Sequence, residues 1–241
     1  METVVINQIK DQSYTMKESL RALKTSISFS GKGVKSILFT SSVPNEGKTT
    51  VVMDLARSMA DSKKSVLIVD TDMRKSVLVG RLRAKVESGG KIYGLSHYLS
   101  GQVSLDKVVY ATNIKGVFIL FAGHEVPNPT ELLETKEFKE LIEFGEKSFD
   151  YVLVDTPPTG AAIDAAVVGK NVDGAVIVAA QNVTSSRAII NTKRTLEDSG
   201  VKILGAVLNK CRFEESKYGH YYGNYYGNYY GNYYGRDDDE K

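Results

Sequence analysis

The stretch SILFTSSVPNEGKTT, residues 36–50, decides the fold of this chain. Its first five residues form an apolar run that predicts a buried strand, and a helix is predicted to begin directly after the loop that follows. The loop keeps three residues of the phosphate-binding pattern GxxxxGK[ST], namely Gly47, Lys48 and Thr49, while Ser42 replaces the first glycine. A strand, this loop and a helix in that order predict a nucleotide-binding loop.

The chemistry of this loop suits the phosphates of ATP together with Mg²⁺. Backbone amides at the start of a helix can face phosphate oxygens, and a lysine in this position can reach the terminal phosphates. The threonine hydroxyl can bind Mg²⁺. The residues of the loop that we predict to contact the nucleotide are Ser42, Pro44, Asn45, Glu46, Gly47, Lys48, Thr49 and Thr50.

Short apolar runs alternate with longer helical segments on the carboxyl side of the loop. The runs are apolar throughout, which is typical of strands buried on both faces of a parallel sheet. The predicted class is therefore α/β, a P-loop NTPase fold with a mostly parallel central sheet and helices on both faces. The predicted strands are 36–40, 65–70, 117–121, 151–155, 174–180 and 202–209, and the predicted helices are 14–29, 48–61, 130–147 and 184–199.

Length and composition allow one domain and a tail. The chain has 241 residues, of which 42% are apolar, enough for a single core. We predict an N-terminal segment with a helix (1–33), a P-loop domain (34–212) and a flexible tail (213–241). The tail contains YGHYYGNYYGNYYGNYYG, residues 218–235, and holds nine of the chain's fourteen tyrosines. Glycine or asparagine interrupts every repeat unit, so no helical or strand periodicity is sustained and we predict disorder.

Charge and cysteine content argue against several classes of protein. The net charge of +2 is nearly neutral, which does not favour binding to nucleic acid. The single cysteine, Cys211, cannot form an internal disulfide, and no apolar stretch approaches the roughly twenty residues that span a bilayer. We expect a cytoplasmic protein whose membrane association comes from a partner.

Two further predicted strands end in aspartate at the edge of the sheet where the loop lies. VLIVD ends at Asp70 and is followed by Thr71 and Asp72, and YVLVD ends at Asp155. Because the carboxyl ends of parallel strands meet at one edge, these carboxylates are expected to converge on the loop. Mg²⁺ binds through one or two carboxylates plus phosphates, which suits Thr49, Asp72 and Asp155. Asp70 is then available to accept the proton of an attacking hydroxyl, although either strand-end aspartate alone could be an ordinary turn residue.

The chain resembles the bacterial tyrosine kinases of capsule and exopolysaccharide assembly, in the Gram-positive form that has a separate membrane adaptor. The resemblance rests on an ordered set of segments that covers nearly the whole chain. These segments are SSVPNEGKTT (41–50), VLIVDTDMR (66–74), GHEVPNPTELL (123–133), YVLVDTPP (151–158) and the terminal tyrosine cluster. One departure is Ser76, where the family often has proline, and we expect it to have little effect on the chemistry.

The resemblance implies a protein-tyrosine autokinase that uses ATP and Mg²⁺ and regulates polysaccharide synthesis and export. Asp70 would be the base towards a tyrosine hydroxyl. The implied catalytic centre is Lys48, Asp70, Asp72 and Asp155, with Thr49, Asp72 and Asp155 serving the metal. The implied phosphate acceptors are Tyr218, Tyr221, Tyr222, Tyr225, Tyr226, Tyr229, Tyr230, Tyr233 and Tyr234.

The resemblance also implies partners. They are a transmembrane adaptor of the polysaccharide co-polymerase type, which recruits the kinase to the inner face of the cell membrane, a homo-oligomeric ring such as an octamer, and a cognate phosphotyrosine phosphatase. The last predicted strand ends beside the nucleotide, and residues 213–225 can stretch roughly 40 Å at about 3.3 Å per residue. The tail can therefore reach its own site or a neighbour's in a ring, and the resemblance favours the neighbour's.

Glu18, Arg21 and Lys24 match the family pattern ExxRxxR, which builds the ring in similar kinases. Their spacing of three puts them on roughly one helical face, and an ordinary solvated face is the alternative. Lysine replaces the last arginine of the pattern and gives up bidentate pairing with a carboxylate. We therefore expect a weaker ring.

Several other residues have less specific signals. In related P-loop ATPases an asparagine at the position of Asn209 recognises adenine, and Arg212 could flank the base, although a strand-end turn is the alternative. Glu131 is interpreted as a structural first-turn residue of the 130–147 helix, with Thr130 as its cap. The three histidines lack metal-ligand spacing, and Cys211 has no context of a nucleophile.

Two other functions compete with the kinase. A partition or septum-placement ATPase of the deviant-Walker class shares this fold, but that class carries a lysine five positions before the P-loop lysine, where this chain has Val43. A positioning ATPase of that class would also leave the clustered tyrosines without a function. The second competitor is a scaffold that binds ATP without transferring phosphate, which the intact set of lysine and aspartates disfavours.

Overall fold

A computed structural model describes residues 1–9, 11–31 and 33–211 of the chain. One mixed sheet has helices packed against it. Its strands are β1 (Thr3–Val5), β2 (Ser36–Ser41), β3 (Val66–Asp70), β4 (Lys85–Val86), β5 (Tyr110–Thr112), β6 (Val117–Leu120), β7 (Tyr151–Asp155), β8 (Gly174–Ala180) and β9 (Ile203–Asn209). The α-helices are α1 (Tyr14–Phe29), α2 (Lys48–Asp61), α3 (Leu78–Leu82), α4 (Leu95–Leu99), α5 (Pro129–Leu133), α6 (Lys136–Ser148), α7 (Asp164–Gly169) and α8 (Ser186–Asp198).

The strand order places the ends of β2, β3 and β7 next to one another. The order across the sheet is β4-β1-β5-β6-β3-β7-β2-β8-β9. Neighbouring strands from β6 to β9 are parallel, and the antiparallel pairs are β1 with β4 and β5 with β6. The carboxyl ends of the central strands therefore share one edge, as predicted for ligand sites in such sheets.

The core lies on both faces of the sheet because neighbouring residues of a strand point to opposite sides. In β2, Ile37 and Phe39 pack with α1 and α2 on one face, whereas Leu38 packs with α6, α7 and α8 on the other. Every residue of β2, β3 and β8 is buried. These contacts explain the uninterrupted apolar runs of the sequence, and the predicted α/β class with a mostly parallel sheet is confirmed.

The six predicted strands are present, but the predicted helix 130–147 is wrong in its bounds. The structure has two helices there, α5 and α6, because the chain leaves helical geometry at Thr135, with φ −72° and ψ 158°. The predicted capping role of Thr130 is also wrong, since α5 begins at Pro129 and the Thr130 hydroxyl donates to Asp164 instead. Strands β1, β4 and β5 were not predicted, since two or three residues are too few to show a period.

The N-terminal segment belongs to the same compact unit as the sheet. Strand β1 pairs with β5, and Leu20 and Ile27 of α1 are buried against the core on the α2 side. This unit runs from Met1 to Asn209, and a second unit, Lys210–Lys241, lies almost wholly outside the described residues. The tail from 213 onward, predicted to be disordered, is outside them too. Within the described ranges, no helix combines the length and apolar character needed to cross a membrane.

Candidate active site

The loop between β2 and α2 is shaped by left-handed backbone and by one buried glutamate. Asn45 and Gly47 have φ of 64° and 91°, a region that glycine adopts without strain. The carboxylate of Glu46 is fully buried and accepts the amide of Val43 at 2.8 Å. Its other oxygen accepts the amide of Ala180 at 3.2 Å and the hydroxyl of Thr184. Glu46 therefore ties the loop to the end of β8, and its carboxylate is occupied by these bonds.

Lys48 and Thr49 occupy the first turn of α2 and point their polar groups at the end of the sheet. The Lys48 ammonium donates to the Ser41 hydroxyl at 3.0 Å. Burial lowers the pKa of Lys48, and the charges of Asp155 and Asp72 oppose that shift. The Thr49 hydroxyl donates to one oxygen of Asp155 at 2.5 Å. The loop and the end of β7 are thus joined by a direct hydrogen bond.

Asp70 and Asp155 lie side by side, because β3 and β7 are neighbours and the two aspartates are partners in register. Both are almost fully buried, with 3% and 5% of their surface exposed. Burial raises the pKa of Asp70 to about 8, and the nearby charge of Asp155 adds to that rise. Burial also raises the pKa of Asp155 to about 6, although the Thr49 hydrogen bond and the Lys48 charge hold it down.

Asp72 adds a third carboxylate to the lining of the same cavity. Its amide donates to Asp70 at 3.0 Å, and its own carboxylate accepts the amide of Lys75 at 3.0 Å. The residues that line one cavity at this sheet edge are Lys48, Thr49, Asp70, Asp72, Lys75, Val77, Leu78, Asp155 and Thr156. All four residues of the predicted catalytic centre line this single cavity.

The residues of this cavity fit a magnesium ion. Within the described residues, one buried side-chain oxygen has no hydrogen-bond partner, Oδ1 of Asp155, and Mg²⁺ prefers such carboxylate oxygens. Across the same ranges, no group of three or more His, Cys, Asp or Glu side chains could hold a metal by itself. Magnesium does not need such a group, because it takes one or two carboxylates and completes its shell with phosphates and water. Thr49, Asp72 and Asp155 are the residues that would hold it.

Other predicted nucleotide residues lie around the loop but do not line the cavity. Ser42 is buried, and its hydroxyl accepts from Thr192 at 2.9 Å. The Asn209 side chain donates to the carbonyl oxygen of Glu46 at 2.8 Å, which places it against the loop. Pro44, Asn45 and Thr50 are exposed on the loop and the first turn of α2. Arg212 and the nine tail tyrosines lie outside the described residues.

The predicted oligomer residues make contacts within their own chain. Arg21 and Glu18 form an exposed ion pair at 2.5 Å. The Lys24 ammonium donates to the Ser62 hydroxyl at the end of α2, also at 2.5 Å. On this face of α1, Arg21 is exposed while Glu18 and Lys24 are half-buried, so the face is open to solvent only in part.

Sequence reasoning missed several residues around the cavity. Thr71 fastens the two aspartate strands, since its amide and hydroxyl both donate to the Asp155 carbonyl at 2.9 Å. The Ser76 hydroxyl donates to Asp70 at 3.3 Å. Lys75 and Val77 line the cavity. All four lie within seven residues of Asp70, so closeness to a strand-end aspartate was the signal that could have marked them.

The loop, the lysine and the neighbouring strand-end aspartates define a P-loop nucleotide-binding domain. In agreement, residues 35–201 match a family of AAA domains (AAA_31). The chain is 40% identical over 203 residues to the tyrosine-protein kinase CpsD of Streptococcus pneumoniae, a match that covers 84% of this chain and 88% of that protein. The structure resembles the kinase domain of the Escherichia coli tyrosine kinase ETK, with a TM-score of 0.74 and 33% identity over 83% of this chain and 79% of that one.

This chain belongs to the family of bacterial tyrosine-protein kinases, as its motifs predicted, and it is an enzyme. The competing class has the same fold. The septum site-determining protein MinD of Pyrococcus horikoshii, solved with Mg-ADP, gives a TM-score of 0.61 with 24% identity, covering 76% of this chain and 72% of that one. That likeness concerns the fold alone.

Proposed function

We propose that this chain is an ATP-dependent tyrosine autokinase that phosphorylates its own C-terminal tyrosine cluster and thereby regulates the synthesis and export of a capsular or related polysaccharide. The observation that carries the proposal is the single cavity that Lys48, Thr49 and the three aspartates line together. The tail supplies the substrate, with nine tyrosines within residues 218–234.

The loop side of the cavity would bind ATP. The amides at the start of α2 face the phosphates, and Lys48 offsets charge on the transferred group. Thr49, Asp72 and Asp155 would hold Mg²⁺, which supplies charge stabilisation at the phosphates when it is bound. MinD, which shares the fold, was solved with Mg-ADP, so a nucleotide with magnesium is compatible with this fold. Asn209 and Arg212 remain our candidates for contact with adenine.

The side of the cavity towards α3 would bind the acceptor tyrosine. Asp70 is held in place by the amide of Asp72 and the hydroxyl of Ser76. Its raised pKa gives it affinity for the proton that a tyrosine hydroxyl loses on attack at phosphorus. In this assignment Asp70 is the base, and Lys48 stabilises the charge that moves to the leaving oxygen, together with the Mg²⁺ that Thr49, Asp72 and Asp155 would hold.

The remaining parts of the proposal concern partners. We infer a ring of protomers in which Glu18, Arg21 and Lys24 face a neighbour, a membrane adaptor that brings the kinase to the inner face of the cell membrane, and a phosphotyrosine phosphatase that resets the tail. In a ring, Lys24 would exchange its contact with Ser62 for a carboxylate of the neighbour, and Glu18 and Arg21 would exchange partners. Such exposed pairs contribute about 0–1 kcal/mol each, so the exchange requires little energy.

The test is transfer of phosphate to the tail. The full chain is treated with phosphatase, incubated with ATP and Mg²⁺ with and without the cytoplasmic segment of its adaptor, and analysed by mass spectrometry for phosphotyrosine. We expect several phosphates on residues 218–234 and none in the Lys48→Met variant. If ATP binds but no phosphotyrosine forms, the ATP-binding scaffold is the correct function.

Mixing variants tests whether transfer occurs between chains. Lys48→Met chains with an intact tail are mixed with active chains that end at residue 212. We expect label on the Lys48→Met chain, since the ring would present its tail to a neighbour's cavity. Absence of label on that chain, while the intact active chain labels itself, would contradict transfer between protomers.

A further inference from the structure

Arg74, the last residue of the motif VLIVDTDMR, forms an ion pair with the buried Asp164 of a distant segment. Its Nε and one terminal nitrogen donate to the two oxygens of Asp164, at 2.8 and 2.9 Å. Asp164 is fully buried, while 40% of the Arg74 side chain is exposed. The geometry is bidentate, which fixes both position and orientation of the guanidinium.

Thr130 closes this pair into a triangle. Its hydroxyl donates to Asp164 at 2.7 Å and accepts from Arg74 at 2.9 Å. Arg74 lies in the loop after β3, Thr130 in α5 after β6, and Asp164 at the start of α7 after β7, so one cluster joins three segments that follow strands of the sheet. A carboxylate that is fully buried requires such partners, because its desolvation is otherwise uncompensated.

On one side, the cluster fixes the loop that follows Asp70 and carries Asp72. Arg74 lies between Asp72 and Lys75, and the Lys75 amide holds the Asp72 carboxylate at 3.0 Å. The Asp72 amide in turn holds Asp70. A shift of Arg74 would therefore disturb the two hydrogen bonds that orient the carboxylates of Asp70 and Asp72.

On the other side, the cluster is attached to the nucleotide-binding loop. Asp164 follows the segment 156–163, in which the amide of Thr159 donates to the carbonyl of Ser41 at 2.8 Å and the amide of Gly160 donates to that of Ser42 at 3.1 Å. The contact is tight, since a Cβ added at Gly160 would lie 2.6 Å from the Ser42 oxygen. Asp164 therefore stands between the loop that would bind phosphates and the loop that carries Asp70 and Asp72.

We propose that Asp164 and Thr130 are positioning residues of the kinase reaction, which hold Arg74 so that Asp70 and Asp72 keep a fixed distance from the phosphate-binding loop. The proposed substrates remain ATP and a tyrosine side chain. The two residues would thereby align the acceptor tyrosine with the phosphates of ATP across the cavity. This inference rests on the proposed function of the cavity.

The experiment compares matched variants in the full chain with its adaptor segment. Thr130→Val removes the hydroxyl, and Thr130→Ser retains it. Arg74→Lys keeps a positive charge for the buried carboxylate but loses the bidentate geometry. Asp164→Asn removes the charge, and its control is Asp173→Asn, an aspartate directly before β8, at the opposite edge of the sheet, that accepts the amides of Lys35 and Ser36.

We expect Arg74→Lys and Asp164→Asn to lower kcat by about tenfold to a hundredfold, as expected for a misplacement near 1 Å. Thr130→Val should lower it by about threefold to tenfold, with recovery in Thr130→Ser. Affinity for a fluorescent ATP analogue without Mg²⁺ should change less than twofold in all of them. Arg74→Lys and Asp164→Asn weaken the pairing of a buried carboxylate, so their thermal midpoint should fall, and all rates are measured well below the lowest midpoint of the set.

Two results would overturn the inference. One is a kcat within twofold of the unmodified chain in Arg74→Lys and Thr130→Val. The other is a loss of kcat that follows a parallel loss of ATP-analogue affinity, or that Asp173→Asn shows to the same extent, which a merely structural role would produce. Failure of the proposed function is distinguishable, because the unmodified chain would then bind the ATP analogue without forming phosphotyrosine.

Discussion

The ends of β3 and β7 carry the same residue type, in register and at the same sheet edge, yet their surroundings differ. Asp70 receives two hydrogen bonds, from the Asp72 amide and the Ser76 hydroxyl. Asp155 receives one, from Thr49, and keeps a buried oxygen without a partner among the described residues. Burial raises both pKa values, to about 8 for Asp70 and to about 6 for Asp155.

The difference lies in which neighbours each strand end meets. The end of β7 faces the nucleotide-binding loop, so Asp155 meets the Thr49 hydroxyl and the Lys48 charge, which favour its ionised form. The end of β3 is followed by its own loop, and Asp70 meets another carboxylate instead. A carboxylate that keeps its charge suits a metal ligand, and one with a raised pKa suits a proton acceptor. The proposed roles of Asp155 as a metal ligand and of Asp70 as a proton acceptor thus follow from the positions of β7 and β3 in the sheet.

The largest effect is expected for Asp155→Asn, which removes the negative charge of the carboxylate whose Oδ1 has no partner among the described residues. We expect kcat for tail phosphorylation to fall on the order of 10³-fold at millimolar Mg²⁺, because metal stabilisation of the transferred phosphate is worth several kcal/mol. Phosphotyrosine formation measured against Mg²⁺ concentration would show it, together with a higher Mg²⁺ requirement.

The matched control for that variant is Asp150→Asn at the amino end of the same strand, where Asp150 accepts the amide of Ser65 at 2.8 Å. It should retain the Mg²⁺ dependence of the unmodified chain. If Asp155→Asn kept a normal Mg²⁺ dependence, Asp155 would not be a metal ligand and the distinction between the two strand ends would fail.

The second effect is expected for Asp70→Asn, which removes the proposed base but leaves the Thr49 bond to Asp155 in place. We expect kcat to fall about 10²-fold to 10³-fold, within the range of general-base catalysis. Binding of the ATP analogue and the Mg²⁺ concentration for half-maximal rate should stay within twofold. A shift of the Mg²⁺ dependence as large as that of Asp155→Asn would mean that both aspartates serve the metal.

The sequence predicted much of this site because strand ends in a parallel sheet meet by topology. Lys48, Asp70, Asp72 and Asp155 each follow or end an apolar run, so their convergence required only the strand directions. The central strands were predictable for the same reason, since burial on both faces leaves uninterrupted apolar runs.

The parts that were not predictable depend on side chains that meet across long separations. Asp164 and Thr130 are 90 and 56 residues from Arg74 in sequence, and nothing local marks them as its partners. Glu46 was predicted to contact the nucleotide because it lies in the loop. Its carboxylate instead accepts a hydrogen bond from the amide of Ala180, 134 residues away. The predicted helix 130–147 also ran across the break at Thr135, although the step from Leu133 to Phe138 is five residues and departs from the helical spacing of three or four.

The smallest effect is expected for Ser76→Ala, which removes the side-chain donor from Asp70. That bond is long at 3.3 Å, and Asp70 keeps the Asp72 amide at 3.0 Å, so a loss of about 1 kcal/mol or less is expected. We expect kcat to fall by about twofold to fivefold with KM for ATP unchanged, and Ser76→Thr to retain the rate. A Ser76→Pro variant, which has the residue common in the resembling family, should behave like Ser76→Ala. A loss of kcat in either variant as large as that in Asp70→Asn would contradict this prediction. It would mean that the Ser76 hydroxyl, and not the amide of Asp72, orients the base, although the resembling family often has proline at this position.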